Sequence, residues 1–190
     1  MMCESIHGIA RRCWRAWCLL PVVCGLFFIF VVPPAAAETF RAGAFEFEAP
    51  AGWQSEPPQS AMRQAQFRIA NPGDGPDGSC IFFYFGPGRG GSAEANIERW
   101  RRQFAEPRAQ RTAVVTVEEI AGRQVRYFCG SGTFLSGMPG GPKTPLPGIT
   151  LLGAILESVK GNIYVRLVAL TALADAQQAA FKRMVESGLR

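Results

Sequence analysis

The chain has 190 residues, a formal net charge of +5, one histidine and six cysteines. The first 37 residues contain that histidine, His7, and four of the cysteines, so the remaining 153 residues hold little of the usual catalytic chemistry. Those 153 residues are enough for one folded domain. Their 17 basic and 14 acidic side chains leave a net charge of +3, which does not favour a nucleic-acid partner.

The first 37 residues have the composition of a targeting segment. Three arginines in "RRCWR" (11–15) precede an apolar run of 15 residues (18–32), and "PPAAA" then supplies small residues for cleavage before Glu38. A membrane-spanning helix needs about 20 apolar residues, and Pro21 lies inside this shorter run. We therefore predict a signal peptide over 1–37, with an uncleaved N-terminal anchor as the alternative, and a periplasmic or extracellular protein. The arginine pair leaves export by the general or the twin-arginine route open.

The expected removal of His7 excludes several classes of site. A Ser-His-Asp or Cys-His centre needs an imidazole. Zinc sites need more His or Cys ligands than the two cysteines left after residue 37. We assign no catalytic, cofactor-binding or metal-binding residue and no cofactor. Chemistry that uses only carboxylates, tyrosine or lysine stays open.

The elements after residue 37 follow from hydrophobic periodicity. Alternation or β-rich composition predicts a hairpin of "ITLLGAILES" and "NIYVRLVAL", and strands at 45–48, 62–70, 80–86, 112–120 and 124–134. A period of 3.6 residues predicts helices at 92–106 and 174–187, and "SGMPGGPKTPLPG" (136–148) is typical of a loop. Hairpin connections dominate this β-β-β-α-β-β-β-β-α order. We therefore predict an α+β protein with a mostly antiparallel sheet and helices packed on it.

Four stretches of the chain carry a resemblance to known proteins. They are "APAGWQSEPPQSAMRQAQFRI", "FFYFGPGRGGSAEANIERWRRQF", "GTF" and "LLGAILES…GNIYVRLVAL", and their most specific element is YFG-x-G-x-GG followed by Ala95-Asn96 and "ERW". These stretches resemble a family of exported bacterial proteins of unknown function over most of residues 45–187. The element order is also similar to the PsbP-like α/β/α sandwich, whose members include an extrinsic subunit of photosystem II and a nuclear import factor that binds the Ran GTPase. The resemblance implies this fold in a single domain over 38–190, and a binding protein more often than an enzyme; it brings no active-site residues.

Three glycines of the specific element have the spacing of a dinucleotide-binding loop. Gly86, Gly88 and Gly91 fit G-x-G-x-x-G. In a dinucleotide-binding fold this motif belongs to the first βαβ unit, whereas here several strands come first, and Pro87 removes an N–H that a phosphate would need. We predict a strand-to-helix turn, with an anion site at the helix N-terminus beside Arg89 as the alternative.

The two cysteines after residue 37 form a disulfide candidate. Cys80 and Cys129 each lie in a predicted strand, and an oxidising compartment permits a bond between them. The alternative is two buried thiols that pack as small apolar side chains. The spacing lacks the C-x-x-C of a redox site.

The sequence contains two pairs of acidic residues, and we predict a structural role for both. Asp74 and Asp77 lie in "GDGPDG", but two carboxylates are too few for calcium, which takes at least six oxygens, so we predict a hairpin turn. Glu46 and Glu48 share one face of a strand. That spacing suits acid/base catalysis, yet a solvated edge is the commoner reason for it.

The helix at 92–106 combines arginines with an apolar stripe. Five arginines in "ERWRRQFAEPRAQR" alternate with glutamates, which predicts a solvated face with Glu98 paired to Arg102 rather than a nucleic-acid surface. Trp100 of this helix and Trp53 of the "PAGW" segment are predicted to anchor the core.

These observations lead to an expected function. We expect an exported, non-catalytic interaction or ligand-binding module of the cell envelope, whose partner is an unknown protein or small ligand and not a nucleic acid. Contact with a membrane is expected only through an uncleaved N-terminal segment. The Gly/Pro-rich loops 86–92 and 136–148, with Arg89 and Lys143, are the expected surface for an anion or an acidic partner. The alternative is a small extracytoplasmic enzyme that uses a carboxylate or a Tyr/Lys site without histidine.

Overall fold

A computed structural model of the protein describes residues 38–137 and 140–190. The predicted signal peptide at 1–37 and two residues of the predicted loop, Met138 and Pro139, lie outside the described residues. The helices are α1 (Ala93–Arg101), α2 (Pro107–Thr112) and α3 (Thr171–Ser187). The strands are β1 (Thr39–Ala42), β2 (Phe45–Glu48), β3 (Trp53–Glu56), β4 (Arg63–Ile69), β5 (Gly78–Tyr84), β6 (Val114–Ile120), β7 (Arg123–Ser136), β8 (Thr144–Leu156) and β9 (Ile163–Leu170).

Seven of the strands form one sheet in the order β3-β4-β5-β9-β8-β7-β6, and every pair in it is antiparallel. The strands β1 and β2 form a separate antiparallel hairpin. The predicted α+β class with a mostly antiparallel sheet and packed helices is confirmed.

Each face of the sheet carries its own core. One core lies under α3 and the β1–β2 hairpin, where Phe47, Phe67, Phe82 and Met184 are almost completely buried. The other core lies under α1 and α2 and includes Trp100, which is 5% exposed. Strands with apolar side chains on both faces, such as β5 and β9, are expected in the middle of a sheet covered on both sides. They are adjacent here.

The tryptophans have the predicted role. The ring of Trp100 lies so close over Gly153 that a Cβ added to the glycine would be 2.3 Å from it. The indole of Trp53 is 7% exposed and donates through Nε1 to Gln177 Oε1 at 2.9 Å. Both side chains therefore anchor the core on their respective faces.

The helix predicted at 92–106 is shorter than expected. It ends at Arg101 because the next residues bond to β7: Leu135 N–H donates to Gln103 O at 2.7 Å, and Ala105 N–H donates to Thr133 O at 2.9 Å. The predicted helix stop, Pro107, instead opens α2, where a proline suits the first turn.

The charge pairing predicted on this helix also differs. The carboxylate of Glu98 pairs with Arg101, three residues on, at 3.2 Å. Arg102 donates through Nε to the backbone carbonyl of Glu98 at 3.3 Å instead.

Much of the predicted loop at 136–148 is strand. The strand β8 begins at Thr144 and pairs with the end of β7 through Leu135 and Ser136. Since β9 ends opposite Ile149, the β7–β8 pair continues beyond the rest of the sheet. Prolines are tolerated at such an unpaired edge because they lack the N–H that a further strand would need.

Candidate ligand-binding groove

A groove lies on the α1/α2 side of the sheet, where β9 ends and the β7–β8 pair continues. Its volume is about 240 Å³. Most of its wall is apolar: Ile81, Phe134, Leu146, Ile149, Val168 and Leu170. Asp77, Ser79, Ser136 and Arg166 add polar groups. A largely apolar cavity with a few polar groups is the usual form of a small-ligand site. We call it the Arg166 groove.

Arg166 reaches this groove because side chains alternate along β9. Successive residues of a strand point to opposite faces, and Val165 and Leu167 belong to the core on the α3 side. Arg166 therefore lies on the α1/α2 side. Its partners on the neighbouring strands are Ile81 of β5 and Gly153 of β8.

The guanidinium of Arg166 is only partly satisfied. Nη1 donates to Gln103 Oε1 at 3.2 Å, and the guanidinium carbon lies 5.8 Å from the centre of the Phe83 ring, within cation–π range. Nε is buried and has no hydrogen-bond partner. Among the described residues, no carboxylate forms an ion pair with Arg166.

This position is costly for a positive charge. Burial, and then the neighbouring charge of Arg63, lower the pKa of Arg166 to about 10, so the guanidinium is still protonated at neutral pH. Taking a charge out of water without an opposite charge costs free energy. Arg126, whose side chain is 23% exposed, shows the usual solution, because it pairs with Glu157 at 2.6 Å and Glu94 at 3.2 Å.

The carboxylate in the groove wall, Asp77, is engaged by the β4–β5 hairpin. Its Oδ1 accepts from the Asn71 N–H at 2.9 Å and its Oδ2 accepts from Arg68 Nη1 at 2.8 Å. These two contacts lower the pKa of Asp77. Its negative charge is therefore largely balanced by Arg68, whereas the positive charge of Arg166 is not balanced.

A second cavity, of about 450 Å³, lies between the end of β2 and α3. Its charged wall residues, Glu48, Arg183 and Arg190, are exposed, so solvent screens them. Neither this wall nor that of the Arg166 groove includes a tyrosine, a lysine or a pair of carboxylates.

The disulfide considered from the sequence is not formed. Cys80 and Cys129 are free thiols. They lie in one row across four strands, with Leu167 and Leu152 between them. Three interstrand spacings separate their Cα atoms by roughly 14 Å, and a disulfide needs less than about 7 Å. Burial raises the pKa of both thiols, so they act as small apolar side chains.

The glycine-rich segment forms the predicted strand-to-helix turn. Asn96, 3% exposed, donates to the carbonyl oxygens of Gly90 at 2.8 Å and Ser92 at 2.9 Å. Tyr164 donates to Gly91 O at 2.7 Å. The backbone of Gly90 and Gly91 has positive φ, which other residues rarely adopt. The most specific element of the sequence thus specifies the shape of this turn.

The N-terminus of α1 already holds a carboxylate. Ser92 Oγ accepts from the Ala95 N–H at 3.1 Å. Bonds from its own backbone N–H and from Ser92, with Arg126 nearby, lower the pKa of Glu94. Since Glu94 occupies the position that an anion would take, the structure does not support the alternative of an anion site here.

The structure does not bring Arg89 and Lys143 together. Arg89 lies in the turn that follows β5, at the end of the sheet where Tyr84 pairs with Ile163. Lys143 directly precedes β8 at the opposite end and donates to Gly137 O at 3.2 Å. Strand β7, with 14 residues, spans the sheet between these ends, a distance on the order of 40 Å for extended backbone. Both side chains are exposed, but they belong to two separate surfaces.

In each acidic pair one carboxylate, that of Asp77 or of Glu46, binds an arginine, and the other residue is contacted through its backbone. Asp77 closes the β4–β5 turn, in which Asn71 Nδ2 donates to the backbone oxygen of Asp74 at 3.4 Å. Glu46 pairs across the hairpin with exposed Arg41 at 3.1 Å. The Glu48 N–H donates to the Ser187 hydroxyl. Across residues 38–137 and 140–190, no three His, Cys, Asp or Glu side chains cluster as metal ligands would.

Sequence reasoning missed Arg166. Its strand, "IYVRLVAL", contains one charged residue in an otherwise apolar run. A lone charge in a strand covered on both faces must be paired, functional or near an edge. That pattern could have indicated a role for Arg166. It could not have indicated the groove, which depends on where β9 ends and how far β8 continues.

Comparison with known proteins identifies the fold. No protein-family model and no curated protein matches the sequence significantly. The solution structure of cyanobacterial PsbP (CyanoP) from Synechocystis sp. PCC 6803 is 14% identical, covers 83% of this chain and 94% of its own, and has a TM-score of 0.53. PA94, a protein of unknown function from Pseudomonas aeruginosa, is 14% identical, with coverage of 80% and 94% and a TM-score of 0.43. The chain therefore has a PsbP-like α+β fold.

Within the described residues, no helix combines the length and the hydropathy that crossing a membrane requires.

Proposed function

We propose that this protein is an exported, non-catalytic ligand-binding module of the cell envelope, and that the Arg166 groove binds an anionic small molecule. One observation carries the proposal: an arginine whose Nε is buried without a hydrogen-bond partner, and which forms no ion pair within the described residues, lies in the wall of a largely apolar groove. A bound anion would supply the negative charge that no carboxylate of the described residues provides to Arg166. Export is supported by the composition of residues 1–37.

The test is recovery of a bound small molecule from the protein. The wild-type protein, purified gently from its producing cells, is examined by native mass spectrometry and then mixed with the low-mass fraction of an envelope extract. We expect an adduct on the wild type and on Arg183→Gln, which removes a similar charge from the opposite face. We expect none on Arg166→Met.

Two outcomes would contradict the proposal. Adducts of equal abundance on the wild type and on Arg166→Met would exclude the Arg166 groove as the site. No adduct on any variant, with or without the extract, would contradict small-ligand binding itself.

A further inference from the structure

The residues of the Arg166 groove indicate the chemical class of the ligand, and not only that the ligand is an anion. We infer that the ligand is a small amphiphilic carboxylate, with its head on Arg166 and its hydrocarbon chain along Ile81, Val168 and Ile149. This inference rests on the proposed function. The donor atoms that remain open, the charge of the wall and the shape of the groove each support it.

The open donors of Arg166 suit one carboxylate. Gln103 takes Nη1, whereas Nε and Nη2 make no hydrogen bond within the described residues; Nη2 keeps contact with solvent, and Nε is buried. Nε and Nη2 form one edge of the planar guanidinium. A carboxylate would bind Nη2 first, and a turn of the side chain that exposes Nε would complete the two parallel hydrogen bonds that carboxylates form with such an edge.

The wall selects a single negative charge. Arg166 is the one cationic side chain among the twelve wall residues; Arg63, whose charge lowers the pKa of Arg166, is not among them, and the carboxylate of Asp77 in the same wall is held by Arg68. A phosphate with two charges is usually held by several cations or backbone N–H groups. One arginine in a wall that also contains an acidic residue therefore favours a monocarboxylate over a phosphate.

The rest of the groove suits hydrocarbon. Phe134, Leu146 and Leu170 continue the apolar wall beyond Arg166, toward the projecting β7–β8 pair. Burying each methylene of a ligand there would raise its affinity about fourfold. A volume of about 240 Å³ holds a short or medium chain rather than a large polar molecule. The chain and the carboxylate should both be needed for binding.

Calorimetric titration separates these requirements. Octanoate is titrated into the wild type, Arg166→Met, Arg166→Lys and the control Arg183→Gln, with 1-octanol, acetate and octyl phosphate as comparison ligands. We expect saturable octanoate binding to the wild type and to Arg183→Gln. Losing a charged hydrogen-bond pair should weaken it at least about tenfold in Arg166→Met, with Arg166→Lys in between, because lysine keeps the charge and loses the two-point geometry.

The comparison ligands decide the chemical class. Acetate and 1-octanol should each bind at least about tenfold more weakly than octanoate, because one lacks the chain and the other the charge. Tighter binding of octyl phosphate that depends on Arg166 would overturn this inference and leave the proposed function standing. Equal octanoate binding by the wild type and Arg166→Met would overturn the inference as well. If neither this titration nor the mass spectra shows a ligand whose binding depends on Arg166, both the inference and the proposed function are overturned.

Discussion

At the scale of single residues, Arg166 shows a conflict between stability and the proposed binding. An unpaired buried charge is one of the few features that single substitutions can improve, because an apolar side chain of similar length removes the desolvation cost. Arg166 is the one charged residue of β9. Its position there fits a role in binding better than a role in folding.

We expect Arg166→Met to raise the free energy of unfolding of the ligand-free protein by about 1 kcal/mol. Methionine fills the same space without a charge that lacks a partner. The measurement is urea denaturation at neutral pH. As the matched control, Arg126→Met should lower the free energy of unfolding by about 1 kcal/mol, because it leaves Glu94 and Glu157, which are partly exposed, without their partner. Equal destabilisation by both variants would show that Arg166 is satisfied in the folded state.

The second prediction for a single residue concerns Gly153, on which the Trp100 ring packs. A Cβ at this position would lie 2.3 Å from the Trp100 ring, so Gly153→Ala should lower the free energy of unfolding by about 2 kcal/mol. The control is Gly73→Ala, whose Cβ would meet no atom closer than 3.9 Å and should stay within about 0.5 kcal/mol of the wild type. Thermal and urea unfolding of both variants measure the difference. A neutral Gly153→Ala would mean that Trp100 does not pack on β8 as described.

At the scale of elements, the contact between the start of α2 and β7 is held by a carboxylate. Glu106 Oε2 accepts from the Thr133 N–H at 3.0 Å. Bonds from the hydroxyl and then the N–H of Thr133 lower the pKa of Glu106 below its ordinary 4.5. This contact helps to place the segment 103–105 beside β7, and Gln103 in that segment holds Arg166.

The pKa of Glu106 gives the sign of a pH dependence. Because the folded-state pKa lies below the unfolded one, this carboxylate stabilises the fold above about pH 4.5 and loses that effect as the pH falls through the folded pKa. We expect Glu106→Gln to flatten the loss of stability with falling pH in this window. Urea denaturation in steps from pH 6 to pH 3 measures it. Glu119→Gln, on the edge strand β6, is the control and should leave the slope unchanged; an unchanged slope in Glu106→Gln would contradict the assigned bond.

At the scale of the whole molecule, the register of the sheet decides the state of the cysteines. Two strands, β9 and β8, lie between Cys80 on β5 and Cys129 on β7. The protein purified without reductant should therefore show two reactive thiols after residue 37 once it is unfolded in denaturant. Thiol titration combined with mass spectrometry of unreduced peptides measures this. A peptide that links Cys80 to Cys129 would mean that the order of β5, β9, β8 and β7 is wrong.

The last prediction concerns the N-terminal segment, which lies outside the described residues. We expect the protein recovered from its producing cells to begin at Glu38, because small residues precede that position as a signal peptidase requires. N-terminal sequencing or intact mass decides it. A protein that keeps Met1 in a membrane fraction would instead favour the uncleaved anchor, and a soluble cytosolic form with Met1 would contradict export.

What could be predicted from the sequence depended on local periodicity and turn chemistry. Alternation in β2 and β4, the apolar runs of β5 and β9, and the glycine-rich turn before α1 are encoded by neighbouring residues, so the fold class, most elements and the core tryptophans were accessible. The separation of Cys80 from Cys129, the opposite positions of Arg89 and Lys143, and the end of α1 at Arg101 depend on which strands become neighbours. Those pairings join residues far apart in the chain, and no local pattern specifies them. The Arg166 groove is of the same kind, because one strand ends where its neighbour continues, and only the tertiary structure decides what lies beside the arginine.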